Sequence, residues 1–342
     1  MIIRDALKLL ATFLLFALLT FIAIELTLRV YMFGIAGLSP AKVSSFRNIF
    51  DSGLVQPAEN LEVWYELKPN VSELFRGALL TTNSRGLPDE EYALAKPKDT
   101  FRVVVIGSSW TMGAGVAQDE VFHSVLEREF NAESTRAKYE FISFGVENYG
   151  LGEMVGTLRH KALAYDPDMI LFVVTGSTPA ILWEEHTERF TPLPVTDTRW
   201  ASYTLIRLRD LLGLKTRSEA AAAALRNTLD KSDNRAYARQ FLRAANTLKN
   251  VAAANNVKAA SIWLRVGAAG NQSAADMFME KSAELNIVGT VIDLESFLEP
   301  GEPLRKLLVN RVEKHPNAKG HEIIAHEIYR GIFNNQLPVP AN

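Results

Sequence analysis

The sequence predicts an α/β fold with an open parallel sheet and a helical insertion, preceded by one N-terminal transmembrane helix. From residue 101 onward, short apolar runs alternate with amphipathic helical stretches, a pattern typical of βαβ units and a parallel sheet. Residues 176–256 interrupt this alternation, because they contain no convincing strand. A segment without charge, residues 9–24, lies close to the N-terminus. We therefore expect a membrane anchor followed by one large α/β domain.

Composition narrows the class of protein. The chain has 342 residues, a formal net charge of -2 and no cysteine. Its length leaves room for one large domain with appendages. Nucleic-acid-binding proteins usually carry a basic face, so this charge balance gives no reason to expect a nucleic-acid partner. Without cysteine there is no disulfide, thiolate metal site or cysteine nucleophile, and we expect neither a metal nor a cofactor.

The N-terminal segment predicts an uncleaved anchor at residues 9–33, after a short tail at residues 1–8. The apolar pattern is long enough to cross a hydrocarbon core of roughly 30 Å as a helix. A cleaved signal peptide would have a shorter apolar run and a small-x-small cleavage site, which we do not find after it. Glu25 and Arg29 lie four residues apart on one helix face, so we expect them to pair.

The remaining elements follow in chain order. Residues 34–100 are rich in proline and turn signals and indicate a connector with short strands. High helix propensity predicts a helical insertion at about 180–230, followed by a crossover helix, inside a domain of residues 101–335 with a short tail at 336–342. The predicted strands are 101–106, 139–144, 169–175, 257–266 and 287–294. The predicted helices are 120–131, 152–165, 271–285 and 318–332.

The turn after the first predicted strand, within residues 101–115 (FRVVVIGSSWTMGAG), is the strongest indication of a site. A buried strand that runs into Gly-Ser-Ser places a hydroxyl at the carboxyl end of a sheet, where open α/β folds build their sites. The glycines do not fit a dinucleotide fingerprint, a P-loop or an α/β-hydrolase elbow. Taken alone, Ser109 fits either a helix cap or a nucleophile.

Four blocks of the chain resemble the SGNH (GDSL-type) hydrolases. The first two are VIGSSWTMGAGV at residues 105–116 and FISFGVENYG at residues 141–150. Residues 168–178 resemble the third block, and HPNAKGH at residues 315–321 resembles the last and most specific one. The resemblance covers most of residues 101–335 and implies a three-layer, SGNH-hydrolase-like (flavodoxin-like) parallel sheet. The preceding region also resembles membrane-anchored members of bacterial envelope and polysaccharide systems.

The resemblance implies a role for each matching residue. Ser109 would be the nucleophile and His315 its general base, because a serine hydroxyl needs a base to react. The backbone N–H of Ser109, the backbone N–H of Asn148 and the side chain of Ser177 would form the oxyanion hole. Glu313, two residues before His315, would orient the histidine as the acid.

The chain departs from the family pattern at four places near the nucleophile. Ser108 stands where the family has aspartate, Asn148 where it has glycine and Ser177 where it has asparagine. Val312 occupies the usual position of the acid, three residues before the histidine. In proteases, loss of one oxyanion donor costs about 10²–10³ in rate and loss of the orienting acid about 10⁴.

Two hypotheses therefore stay open. In the first, the protein is a membrane-anchored serine esterase or O-acyltransferase that acts on envelope carbohydrate or lipid esters. In the second, it is a catalytically degenerate SGNH-like domain that serves as a non-enzymatic accessory or scaffold subunit of a membrane-protein complex. The charges around the anchor do not set its orientation. From the resemblance we expect a single-pass protein of the inner membrane with its main domain in the periplasm.

Overall fold

A computed structural model describes residues 2–175, 202–213, 234–266 and 280–340 of the chain. Most of the predicted insertion at 180–230, and most of the predicted helix at 271–285, lie outside these described residues.

The N-terminal helix α1 comprises Ile2–Phe33 and so begins earlier than the predicted anchor. Its most apolar window is not buried by the rest of the protein. Among the described residues, α1 with the turn that follows it is the one helix long and apolar enough to cross a membrane. The predicted pair is formed, since Arg29 Nε donates to Glu25 Oε1 at 2.8 Å. After α1 the chain makes a 3₁₀ turn and the short helix α2 (Pro40–Ser44).

The segment between α2 and the sheet contains two antiparallel hairpins. Its strands are β1 (Val55–Pro57), β2 (Tyr65–Leu67), β3 (Ser72–Phe75) and β4 (Ala78–Thr81). The Tyr65 hydroxyl donates to the carbonyl of Glu147 at 2.7 Å, and the Tyr149 hydroxyl donates to the carbonyl of Tyr65 at 2.6 Å. These buried hydrogen bonds attach the first hairpin to the loop that follows Lys138–Gly145, an edge strand of the main sheet.

The main sheet has five parallel strands in the order β6-β5-β7-β8-β9. They are β5 (Thr100–Gly107), β6 (Lys138–Gly145), β7 (Met169–Thr175), β8 (Lys258–Arg265) and β9 (Val288–Asp293). This order confirms the predicted flavodoxin-like parallel sheet. The ends of the observed strands differ from the predicted ones by at most one residue, and β7 has the predicted bounds.

Helices cover both faces of the sheet and give it three layers. One face packs against α4 (Phe122–Glu133) and α8 (Ala318–Gly331), and the other against α5 (Leu151–His160) and α7 (Asn234–Ala254). Successive residues of β5 face opposite layers: Val103 and Val105 lie in the first core, and Val104 and Ile106 in the second. All four side chains are completely buried, which explains the unbroken apolar run of this strand.

Two predicted helices have different bounds. The helix predicted at 152–165 ends at His160, because Lys161 leaves helical geometry (φ -128°), and Ala162–Tyr165 forms a 3₁₀ turn. The helix predicted at 120–131 begins two residues later, because Gln118–Glu120 forms a separate 3₁₀ turn.

Candidate active site

The candidate nucleophile lies where β5 and β6 end side by side. Ser109 is the first residue of the short helix α3 (Ser109–Met112). The last residues of the two strands, Gly107 and Gly145, are register partners. A Cβ atom on Gly107 would lie 1.9 Å from Thr111 Oγ1, and one on Gly145 would lie 2.3 Å from the Met112 nitrogen. Glycine at both strand ends therefore allows α3 to sit directly on the edge of the sheet.

Two of the predicted oxyanion-hole donors are backbone N–H groups, those of Ser109 and Asn148. The N–H of Ser109 opens a helix and has no partner within it. Neither this N–H nor that of Asn148 donates a hydrogen bond to any group in the described part of the chain. Asn148 has a left-handed backbone (φ 66°), which asparagine adopts more readily than other residues with a side chain. This conformation accounts for asparagine where the resemblance implies glycine. Ser177, the third predicted oxyanion residue, lies outside the described residues.

The loop that carries His315 is held by the residues of its own motif. The carbonyl of His315 accepts a hydrogen bond from the N–H of Val309 at 2.9 Å. Asn317 caps α8, because its side chain accepts from the N–H of Gly320 at 3.0 Å. His321 is completely buried, and its Nδ1 accepts from the N–H of Phe122 at 3.4 Å. The HPNxxGH pattern thus fixes where α8 begins and how it packs on α4.

A chain of charged groups lies behind His315. Glu313 forms a hydrogen bond with Nδ1 of His315 through one carboxylate oxygen and an ion pair with Arg76 through the other. The Arg76 guanidinium also binds Glu147 at two points, with Nε to Oε2 at 2.8 Å and Nη2 to Oε1 at 2.5 Å. Arg76 therefore joins the loop after β6 to the loop of the candidate base.

The electrostatics of this group favour an ionised Glu313. Burial raises the pKa of the Glu313 carboxyl, but His315 and Arg76 together outweigh burial and hold that pKa below its ordinary value. Burial lowers the pKa of Arg76, yet the carboxylates of Glu147 and Glu313 raise it above its ordinary range. With two carboxylates and one guanidinium, the group beside His315 carries one excess negative charge.

Arg76 comes from the tight turn between β3 and β4. Arg76 and Gly77 both have positive φ angles, 50° and 91°, as a two-residue hairpin of type I′ requires. The N–H of Arg76 donates to the carbonyl of Ser45 at 2.9 Å.

Sequence reasoning did not single out Arg76 or Glu147. Glu147 had a local signal, since it is a charged residue just after an apolar strand. Arg76 had none, because its partners are far away in the chain.

Ser109 and His315 are not joined by a hydrogen bond in the described structure. Ser109 is half-buried, and the His315 side chain is 14% exposed, whereas Glu313 is buried. The two candidate catalytic groups are thus accessible while the acid is not. Catalytic hydrogen bonds are often loose without substrate, so this geometry is compatible with a pair that closes on binding.

A second polar group is buried beneath α3. Asp89 Oδ2 accepts from the N–H of Ser143 at 2.7 Å and lies 3.7 Å from His123 Nδ1. Burial raises the pKa of Asp89 to about 8 and lowers the pKa values of His123 and His321 to about 3. All three groups are therefore neutral at neutral pH or just below it. Among the described residues, no group of three or more His, Cys, Asp and Glu could hold a metal ion.

No family model matches the chain, and no curated protein sequence matches it. Similar solved structures include a psychrotrophic esterase from Pseudoalteromonas sp., 14% identical with a TM-score of 0.41, covering 69% of this chain and 99% of that one. A putative lipolytic protein of the G-D-S-L family from Desulfitobacterium hafniense is 15% identical with a TM-score of 0.40, covering 67% of this chain and 98% of that one. A two-domain esterase active on acetylated mannans is 12% identical with a TM-score of 0.43, covering 71% of this chain and 52% of that one.

These similarities are weak. The fold rests on the chain itself. Its sheet order, and the positions of the sequence blocks at the ends of β5 and β6 and before α8, make it an SGNH-hydrolase-like fold.

Proposed function

We propose that this protein is a membrane-anchored serine esterase or O-acyltransferase that acts on carbohydrate or lipid esters of the cell envelope. Ser109 is the nucleophile, His315 the general base and Glu313 the acid that orients it. The observation that carries the proposal is the hydrogen bond from His315 Nδ1 to a buried carboxylate that is itself held by Arg76. The substrate class rests on the family resemblance of the sequence.

The reaction follows from these roles. Ser109 Oγ attacks the ester carbonyl carbon, and its proton passes to Nε2 of His315. The backbone N–H groups of Ser109 and Asn148 stabilise the negative oxygen of the tetrahedral intermediate, together with Ser177. When the intermediate collapses, the C–O bond breaks and His315 protonates the leaving alcohol. Water or a second hydroxyl then attacks the acyl-serine and is deprotonated by His315 in turn.

The charged group behind His315 supports the base role. When His315 takes the serine proton it becomes a cation, and the excess negative charge of Glu313 and Glu147 over Arg76 stabilises it. The bond to Glu313 also fixes the tautomer, because a proton on Nδ1 leaves Nε2 free to accept the proton of Ser109. Glu313 thus substitutes for the acid that the family carries at the position of Val312.

We further propose that α1 anchors the protein in the inner membrane as a single span, with the α/β domain in the periplasm. The apolar window of α1 is not covered by protein, unlike the core helix of a soluble protein, and lipid is the natural surrounding for such a surface. The side of the membrane rests on the family resemblance. Fusion of a reporter that is active only in the periplasm to the C-terminus tests it directly.

The serine mechanism can be tested without knowledge of the substrate. A fluorophosphonate should label the full-length protein in detergent, because Ser109 Oγ attacks phosphorus and fluoride leaves. Mass spectrometry should place the adduct on Ser109, and Ser109→Ala should abolish both labelling and aryl acetate hydrolysis. Ser108→Ala is the matched control, since this neighbouring serine has no predicted chemical role. Equal labelling of the native protein and Ser109→Ala would rule out the proposed nucleophile.

A second function, that of a non-catalytic scaffold subunit of a membrane complex, is favoured by two observations. No hydrogen bond joins Ser109 to His315 in the described part of the chain, and Ser108 replaces the aspartate of the family. This function predicts stable co-purification with partner membrane proteins from native membranes in mild detergent. It is excluded if the protein is purified as a monomer and Ser109 reacts with the fluorophosphonate.

A further inference from the structure

One carboxylate of α1 fixes the start of another helix. Glu25 accepts four hydrogen bonds from residues at the N-terminus of α6 (Tyr203–Leu211): from the hydroxyl of Ser202, the N–H of Tyr203, and the N–H and hydroxyl of Thr204. All four distances lie between 2.8 and 2.9 Å. A carboxylate is well suited to cap a helix, since it also compensates the positive end of the helix dipole.

Ring contacts strengthen the attachment of α6 to α1. The Tyr203 ring packs edge-on against Phe33 with centroids 5.0 Å apart, and the Arg29 guanidinium lies 5.7 Å from the centre of the same ring. Arg29 is also the ion-pair partner of Glu25. The first turn of α6 is therefore joined to the last turns of α1 by a compact set of polar and aromatic contacts.

The rest of α6 presents leucines to its surroundings. Four leucines at the spacing i, i+3, i+6 and i+7 fall within one side of a helix and its immediate continuation. They are Leu205 (57% exposed), Leu208 (51%), Leu211 (85%) and Leu212 (65%). An uncovered apolar side of this size on a protein surface usually marks a contact with a partner or a membrane.

The position of Glu25 along α1 favours lipid as the occupant. The uncharged run from Leu9 to Ile24 is about 24 Å long at about 1.5 Å per residue. The hydrocarbon core of a bilayer is roughly 30 Å thick, so a spanning α1 places Glu25 at the edge of that core. The N-terminus of α6 is hydrogen-bonded to Glu25 and therefore lies at the same depth in the bilayer.

We propose that α6 lies in the lipid–water interface beside α1, with its leucines in the outer part of the acyl chains. This inference rests on the proposed membrane span of α1 and is independent of the serine chemistry. Helices of this kind bury one apolar side about 5–10 Å into the boundary between headgroups and acyl chains. Helices α1 and α6 contact each other, and both expose apolar side chains, which supports one lipid environment for both. A covering protein is the competing occupant.

Site-directed spin labelling tests this placement on the full-length protein, which has no native cysteine to remove. A nitroxide is attached at Leu208→Cys, in vesicles of phosphatidylcholine and phosphatidylglycerol. Its collisions with lipid-soluble oxygen and with a water-soluble nickel chelate are then measured. Val288→Cys, 55% exposed at the start of β9, serves as the matched water-exposed control. Phe16→Cys, 66% exposed on α1, reports on the span itself.

The expected result is a severalfold lower nickel accessibility at residue 208 than at residue 288, with higher oxygen accessibility. A label at 208 as open to nickel as the one at 288, while residue 16 is in lipid, would overturn the placement of α6 but not the anchor. Nickel access at residue 16 would overturn the anchor as well. A label at 208 that is shielded from both reagents would show that protein, not lipid, covers α6. Adding Glu25→Ala to the variant labelled at residue 208 should raise nickel access there, because Glu25 holds the start of α6 against α1. Unchanged nickel access would overturn this role of Glu25.

Discussion

Replacing Arg76 with methionine tests whether the charged group behind His315 behaves as a buried ion pair. The change leaves Glu147 and Glu313 without their cation, and these side chains are only 3% and 5% exposed. Removing one partner of a buried pair costs about 3–5 kcal/mol, whereas an exposed pair contributes about 0.2–1 kcal/mol. The Arg76 side chain is 19% exposed, so water partly screens the site. We therefore expect Arg76→Met to lower the free energy of unfolding by about 3 kcal/mol, near the lower end of the range for a buried pair.

The loss should depend on pH with a defined sign. Burial raises the pKa of Glu313, and Arg76 is among the groups that lower it. Without Arg76 the pKa of Glu313 rises, so this carboxyl takes up a proton in the folded state at a higher pH. Protonation removes the uncompensated charge. The stability lost in Arg76→Met should therefore be smaller at pH 5 than at pH 8.

Urea unfolding of the full-length protein in mild detergent, followed by circular dichroism, measures both effects. Arg330→Met is the matched control, because Arg330 pairs with Glu327 at the surface and its side chain is 67% exposed. Arg330→Met should lower the free energy of unfolding by less than about 1 kcal/mol. The double variant Arg76→Met/Glu147→Gln should regain most of the lost stability, because it no longer has the uncompensated carboxylate of Glu147. The reasoning is refuted if Arg76→Met costs no more than the control, or if the double variant is no more stable than the single one.

Three further outcomes are expected. Glu313→Gln should lower kcat/KM for an aryl acetate by about 10³–10⁴, because the amide keeps the shape but not the charge that supports His315; a loss below tenfold contradicts the acid role. Burial raises the pKa of Asp89 from 3.8 to about 8, so the folded state binds the extra proton and stability falls as pH rises towards 8. Between pH 6.5 and 8 the free energy of unfolding measured with urea should fall by about 2 kcal/mol because of this carboxyl, and Asp89→Asn should remove that fall. Gly107→Ala should lower the melting temperature sharply, because its Cβ would lie 1.9 Å from Thr111 Oγ1; an unchanged value would contradict the close packing of α3.

Local sequence patterns were sufficient to predict the sheet. The apolar run at 101–106 and the observed β5 (Thr100–Gly107) differ by one residue at each end, since every side chain of this strand is buried and the apolar signal is unbroken. The order of the motif blocks was likewise enough to place Ser109 at a strand end and His315 before the last helix. Such features depend on neighbours in the sequence, so they can be read from it.

The support of the site could not be predicted in the same way. Arg76 contacts Glu147 and Glu313 across 71 and 237 residues, and Asp89 bonds to Ser143 across 54. Nothing in a hairpin turn or in a proline-rich segment specifies a partner at such a distance. The segment expected to be a connector therefore contributes the partly buried charge of Arg76 to the candidate site, which composition alone does not reveal.

The site is also tied to the end of α1, and this affects how its activity should be measured. The N–H of Arg311 donates to the carbonyl of Met32 at 3.3 Å, and Arg76 is bonded to Ser45 in the segment just after α1. The chain from Arg311 to His315 can extend at most about 14 Å. If α1 spans the bilayer, His315 stays close to its surface, within reach of an ester carried by a membrane-bound molecule. Removal of α1 would take away this contact with the loop of the candidate base, so the full-length protein is the appropriate material for kinetic tests.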